Sequence, residues 1–478
     1  MTRMFIDGEW CDAASGATVE ATSPATGESL GQVAEGDRED ARRAIAAANA
    51  AFPAWAARTG FERAELLHRV ADACERRIDE LAHILTLDQG KPLKAEAIVE
   101  AGELVEFWRM AAEDGKRVQG TIPESAAPGR RVLLIRRPLG VLGLITPWNW
   151  PYTMPAEVLA PALACGNTVV WTPAPSTAVC SGVLAECVAE ADLPPGVFNM
   201  VLGPGPEVGD ELAASPGTRA VAFTGSTATG LTVARRAAGK AQLLEMGGNG
   251  PLVVLEDADL EAAAVAASIG CFLGAGQSCS AAERLLVHEA VREEFVDLLA
   301  AEVQRGVRLG HPLEDATTMG PLNNEPGAAK MDEHVADAVA RGATVVTGGS
   351  RAAGFPTDLY WQPTVLDGVP ADSIAVTQET FGPIAPIVAI SSLEDAIAQT
   401  NSQTFGLMAA IFTRDLAAGL RYADSVPMGL VNINETTNYW EVHLPWGGRA
   451  RSESGIGRVG GAYPMETLTE LQTVMFQA

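Results

Sequence analysis

One cysteine in a glycine-rich turn is the residue of this sequence best suited to covalent chemistry. In CFLGAGQSCSAAER, residues 271–284, Cys279 follows a run of glycines. Glycines in a turn let backbone approach a ligand closely. A helix N-terminus near such a cysteine would favour the thiolate, which is the nucleophilic form. A lone cysteine is otherwise most often a small buried hydrophobe. That is the reading for Cys11, Cys74, Cys165, Cys180, Cys187 and Cys271, which lie in helix- or strand-like stretches. In LLEMGGNGP, residues 243–251, Glu245 ends an apolar strand and meets two glycines. Partial burial there would raise its pKa toward the working pH of a general base. In ITPWNWP, residues 145–151, Asn149 lies between two tryptophans and just before Trp150-Pro151. Its amide could donate to a developing oxyanion, or simply bond its own backbone in a turn. In FTGSTATG, residues 223–230, a strand, a small polar turn and a helix follow one another. The free N–H groups of that helix start suit a pyrophosphate, although the segment lacks the GxGxxG fingerprint. GPGPEVG, residues 203–209, reads as a loop.

These residues need rigid elements to hold them. Residues 38–118 carry Ala, Glu, Arg and Leu at helical spacing. The break GTIPESAAPGRR precedes a strand-like run from Val132 to Arg136. From residue 140 to about 260, apolar runs such as VLGLIT, NTVVWT, RAVAFTG and AQLLEM alternate with helical patterns such as PAEVLAPALACG and STAVCSGVLAECVAEA. That alternation predicts a parallel, doubly wound sheet. A second α/β unit begins near Gly248, with strands ERLLVHE, ATVVTGG, IAPIVAI, MAAIFT and GLVNIN. The segment TLTELQTVMFQA alternates like a strand and needs a partner, which another subunit could supply.

The chain has 478 residues, enough for two or three domains. Its net charge of −26 argues against nucleic acid and anionic membrane as partners. Seven cysteines without a CxxC pair make a disulfide framework or a zinc site unexpected, so no metal is assigned. No signal-like or membrane-length apolar run is present, and a cytoplasmic location is expected.

Taken together and in order, the segments resemble the aldehyde dehydrogenase superfamily. TPWNWP is similar to its PWN(F/W)P segment, FTGST to its cofactor turn, LEMGGNGP to E-L-G-G-K-x-P, and GAGQSC to G-Q-x-C. ETFGP at 379–383 resembles its E-x-F-G-P, GLVNIN at 429–434 its later strand, and PWGGRARSESGIGR at 445–458 its P-F-G-G-x-K-x-S-G-x-G-R. The resemblance spans essentially the whole chain. It implies a doubly wound Rossmann-like cofactor domain (1–117 and 139–247), a second α/β catalytic domain (248–445), and a small β oligomerisation arm (118–138 with 464–478). It also implies a homodimer or homotetramer.

The same resemblance implies roles. Cys279 attacks the aldehyde, Asn149 and the Cys279 backbone N–H hold the oxyanion, and Glu245 activates the water that hydrolyses the thioester. Glu379 holds the nicotinamide ribose and Phe381 packs near the ring. Gly225 and Ser226 meet the pyrophosphate. Thr146, Pro147, Trp148 and Gly247 line the cofactor groove. Thr172 and Pro175 stand where the family usually places the Lys and Glu that bind the adenosine ribose, so NAD is expected and NADP is possible. Gly274 replaces a common asparagine, and the segments around 434–458 run longer than usual and should reshape the substrate entrance. Glu157 lies two turns beyond Asn149 on the helix that the resemblance places along the substrate tunnel, where a bulky apolar residue is common; its plainer reading is a helix-start carboxylate. A CoA-acylating semialdehyde dehydrogenase is the alternative within this fold, but those relatives generally lack the glutamate base that Glu245 matches. The alternative outside enzymology is a silent structural member.

Overall fold

The computed structural model describes residues 1–450 and 452–477. Arg451, within PWGGRARSESGIGR, and Ala478, at the end of the arm segment, lie outside the described residues.

The first sheet is built on five parallel strands in the order Ala241–Glu245, Ala220–Thr224, Val141–Ile145, Thr168–Thr172, Phe198–Met200. Every residue of Thr168–Thr172 and Ala220–Thr224 is buried. Helices cover both faces of a parallel sheet, so its strands read as continuous apolar runs rather than alternating ones. Val141–Ile145 and Ala220–Thr224 are neighbours, and the chain winds outward from them in opposite directions. Ligands bind beyond the carboxyl ends of strands at such a switch point. The segments that emerge there are TPWNWP and GST.

Three short strands extend this sheet antiparallel at its edges: Met4–Ile6, Glu9–Cys11 and Gly455–Ile456. The last pairs Gly455 with Glu245, so a segment late in the chain flanks the strand that carries Glu245. Gly455 has φ +128°, and a β-carbon there would strike the Leu244 carbonyl, so only glycine fits.

The second sheet has seven strands in the order Thr344–Thr347, Thr364–Asp367, Ile384–Ile390, Ala282–His288, Gly250–Val254, Met408–Phe412, Leu430–Ile433. The chain crosses from one sheet to the other in the four residues between Glu245 and Gly250. Gly250 then lies beside Ala282. This register brings Gly248 against Cys279, whose carbonyl leaves no room for a β-carbon at 248. The base candidate and the nucleophile candidate are therefore joined by the crossover itself. Each sheet has its own large apolar core.

The predicted helical region resolves into Arg38–Ala56, Gly60–Arg76, Ile78–Gln89 and Ile98–Gly115. Asp37 and Thr59 each close a capping box at the first two of these helices. GPGPEVG is not a loop: Gly205–Gly209 forms a wide helical turn leading into the helix Asp210–Ala214. Thr469–Gln477 finds its partner within its own chain. It runs antiparallel to Arg130–Pro138 over nine residue pairs, from Thr469 with Pro138 to Gln477 with Arg130. The N-terminal strands and Thr364–Asp367 escaped the sequence reading because they are short and weakly patterned.

Candidate active site

Cys279 sits in a loop between the turn Leu273–Gly276 and the strand Ala282–His288. Gly274, Ala275 and Gly276 all have φ between +55° and +70°. The tight reversal of the chain before the cysteine needs these left-handed residues, and two of the three are glycine. A strand follows Cys279, as ERLLVHE predicts, so no helix start in that segment favours the thiolate. The thiol is held well above its ordinary pKa instead, first by burial and then by the carboxylates of Glu245, Glu379 and Glu157.

Asn149 is buried, and its Nδ2 donates to the Gln277 carbonyl at 3.0 Å. Gln277 is itself fixed, because its Oε1 accepts from the Asn323 N–H at 2.9 Å. Glu245 is buried with both carboxyl oxygens lacking a hydrogen-bond partner. Burial, assisted by the charge of Glu157, raises its pKa well above the usual carboxylate range, and Arg458 opposes this.

Cys279 opens onto two cavities. One, a groove of about 310 Å³, is lined by Pro147, Trp148, Gly225, Ser226, Gly247, Glu379 and Phe381, residues expected to meet the cofactor, beside Asn149, Glu245 and Cys279. The rings of Trp148 and Phe381 meet edge to face at 5.8 Å. Phe381 has φ +55°, and the backbone is secured by Glu283, whose buried carboxylate accepts from the N–H groups of Thr380 and Phe381 at 2.5 and 2.8 Å. Glu379 accepts from the Gly248 N–H through Oε1 at 2.9 Å. A β-carbon at Gly247 would lie 2.8 Å from Glu379 Oε2, so glycine keeps that oxygen accessible.

Ser226 caps the exposed start of the helix Thr227–Arg236, leaving backbone donors free for an anion. These features fit a nicotinamide dinucleotide: aromatic rings, a carboxylate acceptor, and a helix start without side chains in the way. Thr146 and Thr172 do not line this groove. They are buried behind it, where Thr146 Oγ1 accepts from Trp171 Nε1 at 2.8 Å. Pro175 is exposed at the start of the short turn Pro175–Thr177. Sequence reasoning missed Glu283, which supports the ETFGP loop, and Lys330, which lines the groove. It also missed Gly205, Pro206 and Gly209, which line a neighbouring open cleft with Thr229 and Val233. Their signal was the GPGPEVG segment.

The second cavity, of about 220 Å³, shares Cys279 and Met154 with the groove. Trp150, Met154 and Glu157 reach it from TPWNWP and the helix Thr153–Ala164. Glu96, Val99, Glu103 and Phe107 reach it from the helical region. Asn438, Trp440 and Trp446 come from the lengthened segments, which do shape this entrance as expected. Glu100 holds the wall in place. Its Oε1 accepts from the N–H groups of Tyr152 and Thr153 at 2.9 and 3.4 Å, capping a helix that has no cap of its own. Its Oε2 meets Lys91 Nζ at 2.5 Å.

The cysteine loop, the strand-end carboxyl and the groove at a switch point stand together in a chain whose family comparison identifies. The chain belongs to the aldehyde dehydrogenase family, whose model matches residues 10–474. It is 41% identical over 470 residues to the glutarate-semialdehyde dehydrogenase of Pseudomonas aeruginosa, covering 98% of this chain and 96% of the relative. It is also 41% identical over 471 residues to the NADP(+) succinate-semialdehyde dehydrogenase of Escherichia coli, with the same coverage of both chains. The betaine aldehyde dehydrogenase of Staphylococcus aureus, solved in complex with NAD+, superposes with a TM-score of 0.96 at 31% identity, covering 100% of this chain and 95% of that one. The protein is an NAD(P)-dependent enzyme that oxidises an aldehyde to its carboxylic acid.

Proposed function

We propose that Cys279 is the nucleophile, Asn149 and the Cys279 backbone N–H form the oxyanion site, and Glu245 is the general base of hydrolysis. One observation carries this reading: Cys279 stands where the cofactor groove and the second cavity meet. The sulfur adds to the aldehyde carbon as the thiol proton passes to solvent, leaving a thiohemiacetal oxyanion held by Asn149 and the Cys279 N–H. A nicotinamide dinucleotide bound in the groove supplies the hydride acceptor. The resulting thioester on Cys279 is attacked by water, whose proton Glu245 takes, and the acid leaves with the thiol restored. Glu379 orients the ribose, Phe381 and Trp148 bracket the nicotinamide, and Gly225, Ser226 and Gly247 admit the dinucleotide backbone.

The test is a pair of variants. Cys279→Ala should abolish oxidation while cofactor binding persists; appreciable residual turnover refutes the nucleophile. Glu245→Gln should give a burst of NADH followed by slow turnover. Equal slowing of both phases refutes the base.

The domain division at 1–117 with 139–247, 248–445, and 118–138 with 464–478 belongs to this reading. So does a homodimer or homotetramer. In its support, Leu471 and Met475 on one face of the arm strand and Phe476 on the other are 56%, 67% and 47% exposed, apolar surface that a second copy would cover. Light scattering at the mass of a single chain refutes it. No helix of the described residues is long and apolar enough to cross a membrane. The proposed location is the cytoplasm, in keeping with seven free cysteines.

A further inference from the structure

The cavity on the aldehyde side of Cys279 has an unusual electrostatic character. Among the described residues, its lining includes three carboxyl groups, Glu96, Glu103 and Glu157, and no lysine, arginine or histidine. The nearest cation, Lys91, is 1% exposed in its side chain and already spent on Glu100. No side chain of that lining carries a positive charge to meet a negatively charged substrate tail.

The carboxyls are not occupied by the protein. Glu157 is 9% exposed, lines the cavity and makes no hydrogen bond or ion pair; burial alone lifts its pKa to about 8. Glu96 is 3% exposed and uses only Oε1, which accepts from the Gly274 N–H at 3.1 Å; its Oε2 has no partner. Burial raises Glu96 and Glu103 to about 7. Buried carboxyls without partners are costly to ionise. A cation placed among them removes that cost, so the site favours a positive ligand over a neutral or negative one.

The rest of the wall suits the same ligand. Trp150, Trp440, Trp446 and Phe107 supply aromatic faces and edges. Trp440 lies 5.6 Å from Trp446 and 6.2 Å from Phe107 between ring centroids. Aromatic faces attract alkylammonium groups, and more strongly when these are desolvated. Trp150 already has the Lys91 ammonium 3.8 Å from its ring centroid. The overall charge of −26 would also steer cations toward the entrance.

We propose that the substrate is a short aldehyde carrying a cationic nitrogen, with the carbonyl at Cys279 and the ammonium group held by Glu157, Glu103 and the tryptophan walls. This rests on Cys279 being the nucleophile. It departs from the semialdehydes named for the 41%-identical relatives, whose single carboxylate would here face three carboxyl groups.

The test compares kcat/KM for four aldehydes of equal chain length ending in trimethylammonium, primary ammonium, methyl and carboxylate. Either cation should exceed the carboxylate by about a hundredfold or more, and the two cations separate aromatic from carboxylate recognition. Glu157→Gln should cut that ratio about tenfold. A carboxylate or methyl aldehyde that matches or beats both cations overturns the proposal. Calorimetry with the unreactive butyltrimethylammonium and butanoate ions tests the charge preference without turnover. Tighter binding of butanoate, or equal binding of the two, also overturns it. Absent turnover together with selective binding of the cation would refute the catalytic roles while upholding the charge preference.

Discussion

The Asn149 amide and the Gln277 carbonyl are bonded at 3.0 Å, which commits one of the two amide hydrogens to the loop that carries Cys279. The second is free to point at an oxyanion, and the first fixes its direction. Preorganisation of this kind accounts for most of what an oxyanion donor contributes. Asn149→Ala should lower kcat by about 10² to 10³, with cofactor affinity retained. It should also loosen the Cys279 loop modestly, since the Gln277 carbonyl loses a buried donor. A kcat within a few-fold of wild type would remove Asn149 from the chemistry.

The Cys279 thiol should titrate above the ordinary value near 8.5, because burial and three carboxylates oppose the thiolate. The sign follows directly. Each negative neighbour disfavours a second negative charge, so neutralising one lowers the thiol pKa. Iodoacetamide alkylation of the Cys279 peptide, followed against pH without cofactor, should have its midpoint above that value. The midpoint should move to lower pH in Glu157→Gln. An unmoved midpoint would show that Glu157 is not electrostatically coupled to the sulfur.

Lys91 and Glu100 form a fully buried pair that also carries the start of the Thr153–Ala164 helix. Removing one partner leaves an uncompensated buried charge. Lys91→Met should therefore cost about 3–5 kcal/mol and lower the denaturation midpoint by several degrees. Adding Glu100→Gln should recover much of this loss, since Gln can still accept from Tyr152 while bearing no charge. If the double variant is less stable than Lys91→Met, the ion pair is not the source of the effect.

By resemblance, Thr172 and Pro175 stand where the family usually places the Lys and Glu that bind the adenosine ribose. Pro175 is exposed, and the Thr172 hydroxyl is buried without a partner. Discrimination between NAD and NADP should be weak, because both the attractive and the repulsive term are reduced. Pro175→Glu should shift the kcat/KM ratio toward NAD. A wild-type preference above about a thousandfold, roughly 4 kcal/mol, would mean that other residues read the ribose.

What the sequence disclosed depends on how local each determinant is. Strand runs such as NTVVWT and RAVAFTG are buried on both faces, so their apolar continuity is visible in one dimension. Cys279, Glu245 and Asn149 stand in short motifs whose glycines and prolines mark the backbone around them. The thiol environment was not legible: ERLLVHE reads as a strand, but nothing local shows that the loop before it sets Cys279 among Glu245, Glu379 and Glu157. Glu157 lines the cavity from the helix the resemblance pointed to, and its plainer reading as a helix-start carboxylate fails because the cap comes from Glu100, about fifty residues earlier in the chain. Glu96 and Glu103 were unremarkable members of a helical region. Only the packing of that region against TPWNWP places them beside the reactive sulfur.

The pairing of Gly455–Ile456 with the Glu245 strand also sets an order of events in biosynthesis. The loop of Cys279 and the strand of Glu245 leave the ribosome long before the segment that forms the edge of that strand. Until that segment arrives, Glu245 sits on an open sheet edge without Arg458 nearby, and the cavity lacks the walls given by Trp440 and Trp446. A nascent or prematurely terminated chain thus presents its nucleophile without a finished base or substrate enclosure, and reactive aldehydes in the cell meet a competent catalyst only once residues 440–458 have been made.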